Sequence, residues 1–227
     1  MPARVRQFVA EFFGTFAIVF VVSAAIMMGS RVAGPTSLLM VASAYAFTIA
    51  AMMGALANTS AHFNPGITIA FVATRRTGAL DGAVKVAAQL CGAAVAGWML
   101  EGNYPAEVVE ATRVGGTQLA LDLTFSRAVL LEAVATALMM IVVCGVSTPQ
   151  VKAAKAGIAV GFVVAALVIA IGPLTGGSLN PARSFGPALA SGIWEGHLAY
   201  WFGPIAGAVV GALVFDFGVR DRGVVTT

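Results

Sequence analysis

Long apolar runs broken by short polar segments set the pattern of this chain. Residues 8–29, 38–57, 84–100, 127–146, 156–171 and 198–219 are almost wholly apolar. At a rise of about 1.5 Å per residue, each is at or near the length that crosses a hydrocarbon layer about 30 Å thick, so six transmembrane helices are predicted. The breaks between them read as turns: Gly34, Pro35 and Thr36, then Arg75 to Gly78, then Thr148 to Lys155. The stretch from Glu101 to Ser126 is the only long polar loop. Arg4 and Arg6 before an apolar run with Ser23, Ala24 and Ala25 also fit a cleaved leader, but the run continues past Met28 and contains Glu11, which favours a first transmembrane helix.

Two further apolar stretches do not fit the six-helix pattern. They are S-A-H-F-N-P-G-I-T at 60–68 and G-S-L-N-P-A-R-S-F-G at 177–186. Asn64 and Asn180 suit the N-cap position, and Pro65 and Pro181 suit the first helical position, where a missing N–H costs nothing. The runs that follow, 66–73 and 182–190, are too short to cross a bilayer and are predicted as half-helices. Irregular backbone at membrane depth is tolerated only against protein or a watery cavity, so these stretches are expected to line a pore. Two helix N-termini meeting there would each present about half a positive charge, and Arg183 adds a full one.

Three crossing helices per half is an odd number, so the halves, about 1–101 and 126–219 with a loop at 102–125 between them, must enter the membrane in opposite senses. Glu11 and Glu132 take matching places in the first helix of each half. Arg4, Arg6, Arg75, Arg76, Lys85, Lys152, Lys155, Arg220 and Arg222 fall on one side and Arg31, Arg113 and Arg127 on the other, which predicts cytoplasmic termini and a multi-pass protein of the cell membrane.

Composition agrees with the pattern. A chain of 227 residues with 59% hydrophobic and 10% charged residues and a mean hydropathy of +0.92 is too apolar for a soluble domain. Its net charge of +3 shows no basic face with interleaved aromatics, so no nucleic acid is expected. Cys91 and Cys144 lie in apolar runs and predict neither disulfide nor metal. No nucleophile stands beside a base and no phosphate loop is present, so neither enzyme activity nor a cofactor is expected. Gly203, Gly207 and Gly211 form a small-residue stripe suited to close helix packing.

N-P-A-R-S-F-G-P-A at 180–188 and A-H-F-N-P at 61–65 resemble the aquaporin, or major intrinsic protein, family, and the resemblance covers nearly the whole chain. It implies an all-α integral membrane protein of six transmembrane helices and two re-entrant half-helices in an inverted repeat. A homotetramer with one pore per subunit is also implied. Asn64 and Asn180, capping half-helices begun by Pro65, Gly66, Pro181 and Ala182, would donate to passing water. Arg183 would be the selectivity arginine, excluding cations together with the half-helix dipoles. Glu11, Glu132 and His62 would hold the two pore loops in shape. Counting back from the asparagines completes the filter with Ala44, Val168 and Gly177; a slip of one would substitute Tyr45. Gly66 replaces the family's usual alanine, removing a methyl that would pack the half-helices together.

The function implied is a passive channel for water and small uncharged solutes that excludes protons and ions. Small, apolar filter residues motivate the alternative of a broader facilitator for glycerol, urea, ammonia, hydrogen peroxide or metalloid acids. Ser184, Ala188, Tyr200 and Trp201 look aquaporin-like and pull toward water. A coupled transporter would need Glu11 or Glu132 to titrate during transport. A structural or adhesive membrane protein is the third class.

Overall fold

The computed structural model describes residues 1–32, 34, 36–148 and 150–220, Thr36 by its backbone alone. Pro35 and Pro149, each within an expected turn, and Arg222, in the expected charge pattern, lie outside them. All regular structure among the described residues is helical: α1 (Ala3–Gly29), α2 (Thr36–Leu56), α3 (Pro65–Ala73), α4 (Ala79–Asn103), α5 (Ala106–Thr112), α6 (Phe125–Val146), α7 (Ala153–Thr175), α8 (Pro181–Ser191) and α9 (Ala199–Val214). A π-helical turn over Phe215–Val219 prolongs α9. Six of these segments are long and apolar enough to cross a membrane: α1, α2, α4, α6, α7 and α9 with its π turn.

The two short helices α3 and α8 begin at the asparagine-proline pairs, as the capping chemistry predicts. Other boundaries move outward. Helix α4 starts at Ala79 and not near Val84, because Asp81 suits a first turn and Lys85 is carried inside the helix. Helix α7 runs from Ala153 to Thr175 through Pro173, past the expected stop at Ile171. The loop at 102–125 contains α5, which sequence periodicity missed because seven residues show too little of a 3.6-residue repeat. Its buried Val108 joins Met27, Leu100 and Val114 in a small apolar cluster that ties the loop to α1 and α4.

Packing repeats itself between the halves. Helix α1 lies along α4 as α6 lies along α9; α3 rests on α9 and α8 on α4, while α2 and α7 pair across the middle. Gly92 of α4 abuts the carbonyl of Phe12, the residue after Glu11, and Gly207 of α9 abuts the carbonyl of Ala133, the residue after Glu132. A β-carbon at either glycine would fall on backbone oxygen, so only glycine lets these helices approach so closely. The stripe of Gly203, Gly207 and Gly211 thus serves the α6–α9 contact within one chain. These paired contacts place the two half-helices end to end at the centre of the six-helix bundle, the inverted-repeat architecture expected from the sequence.

Candidate functional site

Asn64 and Asn180 occupy extended backbone, both at φ −154°, immediately before their helices. The Asn64 Oδ1 accepts from the Gly66 N–H at 2.8 Å, and the Asn180 Oδ1 accepts from the Ala182 N–H at 3.0 Å. Each side-chain amide then reaches across to the other loop. The Asn64 Nδ2 donates to the Leu179 carbonyl at 2.8 Å, and the Asn180 Nδ2 to the Phe63 carbonyl at 2.9 Å. One N–H of each amide is used in this way, and the second remains as a donor.

Phe63 and Leu179 sit in left-handed backbone, at φ +52° and +55°, a conformation that costs a non-glycine residue about 1–2 kcal/mol. The buried glutamates hold them there. The Glu11 carboxylate accepts from the His62 and Phe63 N–H groups at 2.8 and 2.6 Å, from the Ser60 hydroxyl at 2.5 Å and from the Gln89 amide at 2.8 Å. The Glu132 carboxylate accepts from the Ser178 and Leu179 N–H groups at 2.9 and 2.8 Å and from the Thr175 hydroxyl at 2.8 Å. Both glutamates have no exposed surface, and neither lines a cavity described below. His62 faces inward: its Nδ1 lies 3.1 Å from the Thr68 hydroxyl, and its ring packs edge-on to Phe71.

Arg183, in the first turn of α8, is fully buried. Its Nε donates to the Tyr45 hydroxyl at 2.9 Å and its Nη2 to the Gly115 carbonyl at 2.9 Å, while Nη1 has no acceptor among the described residues. The Tyr45 hydroxyl donates in turn to the Gly177 carbonyl at 3.3 Å. Val168 is buried beside it, its Cα and a methyl packed over the Gly177 backbone. The residue on α2 that reaches the arginine is therefore Tyr45; Ala44, expected from the sequence count, lies half-buried against the apolar core. A helix turns by about 100° per residue, so a slip of one changes the face presented.

Two cavities approach this point from opposite ends. One, of about 610 Å³, is walled by Ile18, Ile49, Met139, Val143, Val160 and Val164 and reaches Asn64, Asn180 and Tyr45; Asn58, Thr59, Ser60, His62 and Lys85 add polar lining. The other, of about 440 Å³, runs between Gly29, Ser37, Leu38, Gly116, Gln118 and Gly172 down to Val168. Tyr45 lines the first cavity and Val168 the second; Arg183 bonds to Tyr45, and Val168 packs on Gly177. Lys85, read from the sequence as one more orienting charge, is buried and donates to the Ser60 hydroxyl at 2.6 Å.

The structure brings Gly66 against the carbonyl of Pro204 on α9, about 3.3 Å from where a β-carbon would stand. The methyl that an alanine would add therefore meets α9 and not the other half-helix, contrary to the expectation above. Ala182 is buried among Val19, Ala93 and Ala96. Pro65 and Pro181 are buried as well. Sequence reasoning missed Gly115, whose carbonyl comes from the long loop, together with Ser60, Thr68, Gln89, Thr175 and Ser178. A polar residue inside an apolar helix, as Gln89 is, was the available signal for one of the omissions. Among the described residues no three His, Cys, Asp or Glu side chains gather in a way that would hold a metal.

The family model described as "Major intrinsic protein" matches residues 1–215. The chain is 35% identical to Aquaporin C of Dictyostelium discoideum, over 96% of its own length and 81% of that protein. It is 38% identical to Aquaporin TIP4-4 of Zea mays, over 93% and 86%, and 33% identical to Nodulin-26 of Glycine max, over 93% and 77%. Among solved structures it is similar to the aquaglyceroporin from Plasmodium falciparum, with a TM-score of 0.84 at 22% identity over 95% of this chain and 97% of that one.

Proposed function

We propose that this chain, which belongs to the major intrinsic protein family, is a passive transmembrane channel that conducts water and small uncharged solutes and turns back protons and ions. The observation that carries the reading is the meeting of two half-helix N-termini with Asn64 and Asn180 on the wall of one cavity. The relatives named as aquaporins point the same way.

The path works by replacing hydration. A water leaving the apolar cavity accepts from the free N–H of Asn64 and Asn180, so its own hydrogens turn away from the midplane. The two half-helix N-termini oppose a cation there. At the filter, the free Nη1 of Arg183 offers a donor, and its charge, with no carboxylate among the described residues in hydrogen-bond range, repels cations. Glu11 and Glu132 act as supports of the loops: each is buried, bonded to loop N–H groups and away from the cavities. That placement argues against a coupled transporter.

Tyr45 favours water over the broader facilitator. Its hydroxyl spans from Arg183 to Gly177, filling space that Ala44 in the filter would have left open. Val168 and Gly177 keep the alternative alive, since both are small and offer the solute no side-chain donor. We further propose cytoplasmic termini, from the charge distribution, and a homotetramer in the cell membrane, by analogy with the family.

Stopped-flow light scattering on proteoliposomes tests the reading. Wild type and Val168→His are compared under an osmotic step and then under glycerol, urea and ammonia gradients. Fast water flux with the solutes rejected supports a water channel. Solute entry that Val168→His blocks supports the facilitator, and flux no greater than in protein-free vesicles refutes both.

A further inference from the structure

The two halves hold their glutamates by matching bonds but balance their charge differently. The second half-helix carries Arg183 three residues after Asn180, a buried cation in the same half as Glu132. The first half-helix carries Ile67 three residues after Asn64. Glu11 therefore receives no cation from its own half-helix, although it is equally buried.

Lys85 stands where that cation is missing. Gly92 and Gly207 correspond between the halves, each abutting the residue after its glutamate. Seven positions earlier on the same helices stand Lys85 and Tyr200. Both reach the start of a pore loop: the Tyr200 hydroxyl donates to the Thr175 carbonyl at 2.8 Å, and the Lys85 Nζ donates to the Ser60 hydroxyl at 2.6 Å. Ser60 in turn donates to the Glu11 carboxylate at 2.5 Å, so ammonium and carboxylate are joined through one hydroxyl. The tyrosine needs only its hydroxyl for this task. A lysine at the matching place adds a charge, held one hydroxyl away from Glu11 and also acted on by Asp81.

Resting on the channel reading above, we infer that Lys85 is a positioning residue that compensates Glu11 in place of an arginine the first half-helix lacks, and so keeps the first pore loop in its conducting shape. The other groups around the pair fit this role. Asp81, one turn earlier on α4, is turned to Arg4 at the surface. Gln89, Thr68 and His62 are polar neighbours that supply hydrogen bonds. Removing one partner of a buried pair leaves the other uncompensated, which costs far more than removing both. Loop disorder at His62 and Phe63 would displace the Phe63 carbonyl and with it the Asn180 amide.

The test is a double-mutant cycle with Lys85→Met, Glu11→Gln and both together, beside Lys85→Arg and Ser60→Ala. It is read as water permeability per channel and as thermal unfolding of the purified full chain. Charge compensation predicts that Lys85→Met lowers permeability about fivefold alone but much less once Glu11→Gln is in place, with matching behaviour of the melting temperature. Lys85→Arg restores both readouts, and Ser60→Ala costs less than Lys85→Met because the charge remains. Equal costs of Lys85→Met with and without Glu11→Gln would overturn the proposal, since a donor that merely packs against Ser60 behaves that way. If wild type conducts no water, the channel reading fails, and the cycle is then decided by thermal unfolding alone, where the same two patterns are distinct.

Discussion

Asn64 and Asn180 each hold the other's loop: the Nδ2 of Asn64 donates to the carbonyl before Asn180, and the Nδ2 of Asn180 donates to the carbonyl before Asn64. Their Oδ1 atoms cap their own helices. One side chain therefore fixes a helix start, locks the facing loop and keeps a second amide N–H beyond these bonds. Replacing the amide nitrogen by oxygen, as in Asn180→Asp, sets an acceptor against the Phe63 carbonyl. The expected cost is about 1–3 kcal/mol of stability, from a buried acceptor left unpaired, with a loss of water permeability. Thermal unfolding and proteoliposome flux check it, and an unchanged melting temperature would contradict the reciprocal lock.

Tyr45 is expected to set the width of the filter. Tyr45→Phe keeps the ring but removes the bonds to Arg183 and Gly177, so water flux should change while glycerol stays excluded. Tyr45→Ala removes the ring as well and should raise glycerol permeability by about tenfold or more, the scale on which pocket size discriminates. Solute-gradient swelling assays separate the two. Glycerol flux unchanged in Tyr45→Ala would place the constriction elsewhere.

Gly66→Ala should be nearly silent. The added methyl meets Asn64 Oδ1 at about 3.1 Å and the Pro204 carbonyl at about 3.3 Å, contacts relieved by shifts of a few tenths of an ångström. A change within about 1 kcal/mol is expected. Gly207→Val should prevent folding or cost about 3 kcal/mol or more, because its β-carbon falls on the Ala133 backbone. Expression yield and melting of the two variants give the comparison.

Glu132→Gln should damage the loop without revealing ion coupling. Three donors converge on the carboxylate, and a glutamine must turn its NH₂ toward one of them. A loss of about 2–5 kcal/mol is expected for breaking this buried network. Solute flux in wild type should be indifferent to imposed pH and sodium gradients. Flux driven by either gradient would return the coupled-transporter reading.

The sequence by itself determined the membrane class, the six crossings, the two half-helices and the inversion of the halves. These follow from local facts: run length against bilayer thickness, asparagine before proline as a helix start, and the odd number of crossings per half. It also gave the candidate pore residues Asn64, Asn180 and Arg183, since an ionisable or amide side chain stands out in an apolar segment. What only the tertiary structure decided was which side chains face one another. The partner of Arg183 on α2 is Tyr45 and not Ala44, because one residue is about 100° of helix rotation and no local signal fixes that phase. The Gly115 carbonyl reaches the arginine from a loop whose path depends on the packing of α5, and the neighbour of Gly66 proved to be α9. Lys85 reads from the sequence as one more orienting charge, and only the fold places Ser60 and Glu11 beside it. Such contacts join residues far apart in the chain, so they exist only once the helices have packed.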